Sequence, residues 1–566
     1  MGWRHRWTAD DGFINFRIVR HIVDGHGPVF NTGQRVEVGT SPLWLAVLSV
    51  LDLLLPFRLE WIAAITSLAA TGGAVALAVF GTRRASWPAV PKGAVLLPLG
   101  AIVYAALPPV WDFATSGLEN GLGLLWIAVC WWLLCTRIAT GRLEPAPRWW
   151  VPVVLSLGPL VRPDLALFSV AFIVALLVLC ERRFVTIGRV TALAAVVPVV
   201  TELARMAYYG DIVPNTAIAK EGMSSNWGQG WAYLRDYVTP YALVVPIVLL
   251  IVWWLVATRW SGGIGARPDL VVGLVVVAGG LLHALYVVRV GGDFMHARML
   301  LPTTFMVLLP VSVVAVRARG WWLAAIVLVW AVVCAGWMRP PYSTALPTGV
   351  SAAAAPDPYD PGTGIADERL FWVRSSGTAH PVTLDDYLPR NMFAREGARV
   401  ARLAADGHRG LLLHPGDSAR SLVPLRAGVD AQIVVTEPAL GLLAYAAGDR
   451  VDVVDDHGLA SPLAAHQRLH ARGRPGHEKI LSDAWFVAEY ADPRDRIPDG
   501  VNPREVAAAR RALGCEPLRS LEDDPTRRFN LTDAMRDFED ALTTSSYRFA
   551  PDPVIAARQA CRRGNA

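Results

Sequence analysis

Residues 270–298 read LVVGLVVVAGGLLHALYVVRVGGDFMHAR, an apolar run that reaches Arg289, passes through two glycines and opens into Asp293, His296 and Arg298. A helix of about 20 mostly apolar residues crosses about 30 Å of hydrocarbon, so residues 270–289 predict a membrane span that delivers a charged cluster to one membrane surface. The rest of the chain follows the same pattern. Spans are predicted at 61–81, 93–110, 118–136, 149–162, 164–181, 189–207, 241–258, 270–289, 299–316 and 320–338. Composition agrees: the 566 residues are 53% hydrophobic and 18% charged, with a mean hydropathy of +0.37. Soluble proteins carry about 25% charged residues, which excludes an ordinary cytosolic enzyme. The net charge of +5 says little about partners, and the only lysines are Lys92, Lys220 and Lys479. A polybasic nucleic-acid surface is therefore not expected.

Basic residues fix the expected orientation. Arg83, Arg84 and Lys92 share one loop; Arg137, Arg142 and Arg148 share the next but one. Arg182, Arg183 and Arg189 follow, then Arg259 and Arg267, then Arg317 and Arg319. These loops alternate with loops poor in basic residues, which makes the basic set cytoplasmic. By parity, the segment before Trp61 and the tail after Trp337 lie outside. Residues 41–57 (SPLWLAVLSVLDLLLPF) are then expected as an interfacial helix, anchored by Trp44 and interrupted by Asp52, because a crossing there would reverse every later loop. With polar residues 1–40 outside, an export helix is expected upstream of Met1.

Composition changes after the last span. Residues 339–364 are rich in Pro, Gly and Ala and read as a linker. Beyond it, GLLLHPG (410–416), AQIVVTEPALGLLAYAAG (431–448) and RVDVVDDHG (450–458) resemble βαβ material, and VNPREVAAARRALG (501–514) reads as a helix. The expected architecture is thus an α-helical polytopic membrane protein of about ten or eleven spans (residues 1–338, with a first outer loop at 1–60), a linker at 339–364, and an extracytoplasmic α/β domain at 365–566. Cys130, Cys135, Cys180 and Cys334 fall in spans and read as packing residues. Cys515 and Cys561 are the one pair in the outer domain, where the compartment is oxidising, and are expected to form a disulfide.

Charged groups at membrane depth are costly and usually functional. Five polar clusters fall on the outer face. Thr8-Ala9-Asp10-Asp11-Gly12 precedes a helical stretch with Arg17, Arg20 and His21. Thr115-Ser116-Gly117-Leu118-Glu119-Asn120 begins a span. Arg162-Pro163-Asp164 forms a turn between two spans. The loop at 211–237 carries Pro214-Asn215-Thr216 and Lys220-Glu221, and Asp293, His296 and Arg298 complete the set. Each has a bland reading: paired aspartates cap helices, Arg-Pro-Asp makes a local ion pair, Glu119 suits a helix start, and a single His hydrogen-bonds. Their convergence on one face favours a shared cavity.

Such a cavity suits transfer from a lipid-linked sugar phosphate. The phosphate leaving group needs only cations or a metal to hold its charge, and Arg162, Lys220, His296 and Arg298 are the candidates. The acceptor hydroxyl needs a carboxylate base, for which Asp11, beside Asp10, is the candidate; the two could equally hold a divalent cation.

The stretch TADDGFINFRIVRHIVDGHGPVFNTGQRVEVGTSPLW (8–44) resembles the first outer loop of C-type (GT-C) membrane glycosyltransferases. It is most similar to the actinobacterial terminal arabinofuranosyltransferase B family, some members of which are labelled flagellar motor control protein. The similarity continues in order through ATSGLEN (114–120), LVRPD (160–164), PNTAIAK (214–220) and GGDFMHARMLLP (291–302). It enters the outer domain at ADERLFWVRSSGTAHPVTLDDY (366–387) and GLASPLAAHQRLHARGRPGHEK (458–479). The resemblance implies a plasma-membrane transferase that takes arabinofuranose from decaprenylphosphoryl-arabinofuranose. The product is a terminal β-(1→2) residue on the arabinan of arabinogalactan and lipoarabinomannan, and the outer-loop aspartate is essential. It also implies an interfacial helix after the first loop and a transmembrane helix before it. A β donor giving a β product retains configuration, which requires a carboxylate nucleophile or same-face attack; Asp10, Asp11 and Asp293 are the candidate nucleophiles.

The outer domain is expected to hold the polymer acceptor. Trp372, Tyr387, Trp485 and Phe486 are candidates for stacking on sugars or, as is commoner, for core packing. The 472–479 loop either reaches the active site or packs on the membrane module. A polyprenyl-phosphate mannosyltransferase would present the same pattern of letters. A transporter would show inverted repeats and ionisable groups at mid-membrane, and a motor-associated protein a large cytoplasmic surface; the sequence shows neither.

Overall fold

The computed structural model describes residues 1–86, 93–140, 147–181, 183–222, 224–259, 268–343, 358–414 and 422–563. Lys92, Arg142, Arg182, Arg267, most of the 339–364 linker and the Pro415-Gly416 end of the first strand motif lie outside the described residues. Helices dominate, as they must where no water is present to satisfy the backbone. Among the described residues, five are long and apolar enough to cross a membrane: Leu59–Ala85, Asn120–Ile138, Phe184–Tyr209, Pro268–Val290 and Ala318–Trp337. The first two pack closely because Gly121 lacks a side chain: a Cβ there would lie 2.2 Å from the Ser67 carbonyl oxygen. Small residues permit this approach where apolar burial offers no drive between helices.

The other expected spans are shorter or broken. Residues 93–110 contain a strand, Val95–Leu97, then the helices Leu99–Ala105 and Pro108–Phe113. That strand pairs antiparallel with Val314–Val316, so residues 299–316 also stop short as a helix. Pro98, Pro108 and Pro310 each lie where a helix begins or tightens, as their missing N–H requires. Residues 149–162 divide into Trp150–Leu155 and Gly158–Val161. The 13-residue helix Pro42–Leu54 is about 20 Å long at 1.5 Å per residue, too short to span. It buries Trp44, Leu45 and Leu48 and exposes Val50, Leu53 and Leu54.

Beyond the linker, the strands Gly410–Leu413, Ile433–Thr436 and Val451–Val454 form a parallel sheet in sequence order, with Gly410 opposite Ile433 and Ile433 opposite Val451. Every strand residue is buried, as in parallel sheets covered on both faces. Alternation assigns the faces. Leu412, Ile433, Val435, Val451 and Val453 join a core with the helix Leu440–Ala447 that continues into the membrane module. Leu411, Leu413, Val434 and Val454 meet Trp485, Val506 and Ala509 in a second core. Trp372, Tyr387, Trp485 and Phe486 are all buried core residues, so none presents a ring to a sugar. A disulfide joins Cys515 to Cys561, and the four cysteines of the membrane module are buried and outside any disulfide.

Candidate active site

The first loop is interlocked with the Thr115–Asn120 turn through backbone contacts. Trp7 N–H donates to Thr115 Oγ1 (3.3 Å), Ala9 N–H to the Ser116 carbonyl (2.9 Å), and Trp44 Nε1–H to the Gly117 carbonyl (3.1 Å). From this anchor the helix Asp10–Val23 begins, and its two aspartates part company.

Asp10 turns to the outer domain. Its carboxylate accepts from Gly441 N–H (2.9 Å) and Leu442 N–H (2.7 Å), closing the first turn of the helix Leu440–Ala447. Two turns further along the same helix, Arg17 closes the other end, donating to the carbonyls of Ala444, Gly448 (3.2 Å) and Val451 (2.7 Å). A carboxylate at the N-terminus and a guanidinium at the C-terminus satisfy orphan backbone groups and match the helix dipole. Burial pushes the Asp10 carboxyl up to about 6 against the pull of those two N–H groups.

Asp11 turns to the membrane module. Its Oδ2 lies 3.6 Å from Arg298 Nη1, which is also 3.5 Å from Asp293 Oδ2, while Arg298 Nη2 donates to Glu119 Oε1 (3.3 Å). Glu119 in turn faces Arg162 (3.8 Å), and Arg162 grips Asp164 through two bonds of 3.0 and 2.9 Å. His283 then bridges Asp164 (2.7 Å) and Thr303 (2.7 Å). Asp11, Glu119, Arg162, Asp164, Asp293 and Arg298 therefore meet in one network, with Asp11 its most exposed member. Arg162 Nη1 and Arg298 Nε are buried without a hydrogen-bond partner, and a buried donor left so costs about 1–3 kcal/mol. Both are suited to an incoming anion.

Two expected site residues lie elsewhere. His296 faces away from Arg298, with Nε2 3.0 Å from the Tyr241 hydroxyl and Nδ1 against Asp236 and Tyr342. It lines a cavity of about 120 Å³ with His5, Asp112, Asp367 and Glu368. Lys220 is exposed and lies against Gly476, where a Cβ would be 3.2 Å from its Cε. The Lys220 ammonium is thus beside the 472–479 loop rather than among the arginines. That loop packs on the membrane module, beside Phe294. Arg474 stacks over Phe294 (4.8 Å) and approaches Glu368 (3.5 Å), His477 meets Phe294 edge-on (5.0 Å), and Lys479 pairs with Glu221 (2.7 Å) in the membrane module.

His283, Glu368 and Arg474 were not singled out in the sequence. His283 had a signal, an ionisable residue inside an apolar run; Glu368 and Arg474 had none beyond their place in polar segments. Burial pushes the Glu368 carboxyl up to about 8, helped by the negative charges of Asp11 and Asp293. The divalent cation considered for Asp10 and Asp11 finds no donor set: Asp10 is committed to the backbone, Arg298 stands between Asp11, Asp293 and Glu119, and no group of three metal-binding side chains occurs among the described residues.

Residues 427–545 match the AftB family C-terminal domain. Over 90% of its length the chain is 35% identical to the terminal β-(1→2)-arabinofuranosyltransferase of Corynebacterium glutamicum, covering 78% of that protein. Over 92% of its length it is 33% identical to the protein of the same name from Mycobacterium tuberculosis, covering 88% of it. No solved structure gives a significant match.

Proposed function

Because the chain belongs to the AftB family of terminal β-(1→2)-arabinofuranosyltransferases, we propose that it transfers arabinofuranose from decaprenylphosphoryl-arabinofuranose to the ends of cell-envelope arabinan. The observation that carries the chemistry is the pairing of Asp11 with Arg298 beside the unpartnered donors of Arg162 and Arg298. In the reaction the bond from the anomeric carbon to the phosphate oxygen breaks, and polyprenyl phosphate departs as an anion. Arg298 and Arg162, both largely buried, hold that charge where it develops. The acceptor hydroxyl oxygen bonds to the anomeric carbon and its proton passes to a carboxylate.

Asp11 is the carboxylate for this step, because Asp10 is occupied by the Gly441 and Leu442 N–H groups. If configuration is retained, Asp11 or Asp293 is the nucleophile. Residues 1–338 act as the catalytic module in the plasma membrane, with the basic loops in the cytoplasm and the cluster outside. Residues 365–566 form the extracytoplasmic domain that receives the arabinan. The exposed apolar face of Pro42–Leu54 supports an interfacial position for that helix.

The test is transfer of labelled arabinofuranose from decaprenylphosphoryl-arabinofuranose to a short α-(1→5) arabinan, comparing wild type with Asp11→Asn. Transfer by wild type alone, with β-(1→2) linkage in the product, supports donor, reaction and residue together. A folded wild type that uses another polyprenyl-phosphate sugar instead overturns the arabinose donor.

A further inference from the structure

The three strands of the outer sheet run parallel, so their carboxyl ends share one edge. Here each strand is followed by a titratable residue: His414 after the first, Glu437 after the second, Asp455 and Asp456 after the third. Asp455 is spent on its own turn, accepting from Leu459 and Ala460 N–H at 2.7 Å each. The other three gather instead. His414 Nε2 lies 3.0 Å from Asp483 Oδ1. The Asp483 hydrogen bond chiefly favours the cationic form of His414, with the charges of Asp456 and Glu437 adding to it; burial pushes the Glu437 carboxyl up to about 7, with Asp456 and Asp10 adding to that push and His414 opposing it.

Asp456 supplies an independent observation. It is 8% exposed, and its Oδ1 is buried with no hydrogen-bond partner. His457 Nδ1, 3.6 Å from that oxygen, is committed to the Lys479 carbonyl at 2.7 Å. A buried carboxylate oxygen without a donor is costly and calls for one.

This edge adjoins the catalytic network by two routes. The helix capped by Asp10 starts three residues after Glu437. From Asp456 the chain runs to His457, whose ring packs on His477 (5.1 Å), which packs on Phe294 (5.0 Å), the neighbour of Asp293.

We propose that the carboxyl edge of the outer sheet, formed by His414, Glu437, Asp456 and Asp483, binds the arabinan acceptor as a neutral polyhydroxylated chain and leads its end to Asp11. The proposal rests on the arabinan reading above. Carboxylates accept hydrogen bonds from sugar hydroxyls, and three of them around one histidine repel a phosphate, so the donor's charged head is not the ligand here.

The test uses the full chain in nanodiscs and an α-(1→5)-linked arabinofuranose oligosaccharide, with the dissociation constant read by calorimetry and the acceptor KM by transfer. Glu437→Gln and Asp456→Asn are each expected to raise both constants about tenfold, the loss of a charge-assisted hydrogen bond. The donor KM, and release of arabinose to water without acceptor, stay at wild-type values and report that the fold is intact. Unchanged oligosaccharide binding in both variants overturns the proposal. If Asp456→Asn also loses donor hydrolysis, Glu437→Gln alone decides by the same criterion. A wild type that binds the oligosaccharide, with variants that bind it less, upholds the site even if no arabinose is transferred, and the failure then belongs to the donor.

Discussion

Asp10 and Asp11 are neighbours with identical chemistry, and their surroundings give them different work. Asp10 holds two backbone N–H groups of the outer domain, whereas Asp11 faces Arg298. Asp11→Asn is expected to lower transfer by roughly 10²–10⁴-fold, the usual worth of a positioned base, with thermal unfolding unchanged. Asp10→Asn keeps one acceptor oxygen for a backbone donor and retains most activity. Asp10→Ala removes the cap and costs about 1 kcal/mol of stability, read as a lower unfolding temperature. Equal loss of activity in Asp10→Asn and Asp11→Asn would sink this division of roles. The sequence made the pair conspicuous but could not divide it, because the partners of Asp10 lie 431 and 432 residues away. Asp11, Glu119, Arg162, Asp164, Asp293 and Arg298 were legible as charges at the ends of apolar runs. Lys220 and His296 sit at the same kind of position, and only tertiary packing turns them elsewhere.

Among elements, the helix Leu440–Ala447 is the joint between the two halves. Its fit depends on Gly441, where a Cβ would lie 1.8 Å from the Asp10 carbonyl oxygen. Gly441→Ala must push the helix off the first loop, an overpacking worth about 1–3 kcal/mol. Faster limited proteolysis of the outer domain and a fall in transfer are expected together, and proteolysis at the wild-type rate would show that the joint is dispensable. The disulfide ties residues 46 apart in sequence. Cys515→Ser is expected to destabilise the outer domain by about 2–4 kcal/mol, measured by denaturant unfolding, while leaving the catalytic network in place. The strands were readable as short β-branched runs and the long spans as apolar runs. The broken helices at 93–110 and 149–162 were not, since hydropathy reports burial in an apolar medium and is blind to where prolines interrupt the backbone ladder.

At the scale of the molecule, one apolar core runs from the membrane helices through the first loop into the outer sheet, so the Asp11–Arg298 network and the carboxyl edge of that sheet are expected on the same side of the bilayer. The orientation proposed from the basic loops puts that side outside, and it is testable without any substrate. Arg84 lies at the basic end of the helix Leu59–Ser86, and Asp495 on the surface of the outer domain; both are exposed. The native cysteines outside the disulfide are buried, so a single introduced thiol gives a clean readout. In intact cells a membrane-impermeant maleimide is expected to label Asp495→Cys and to spare Arg84→Cys, with both labelled once the membrane is opened. The opposite pattern would put the Asp11–Arg298 network in the cytoplasm, where a cell-envelope polymer is absent, and would remove the acceptor assignment along with the topology. Labelling of both in intact cells would place Arg84 outside as well and overturn the proposed topology.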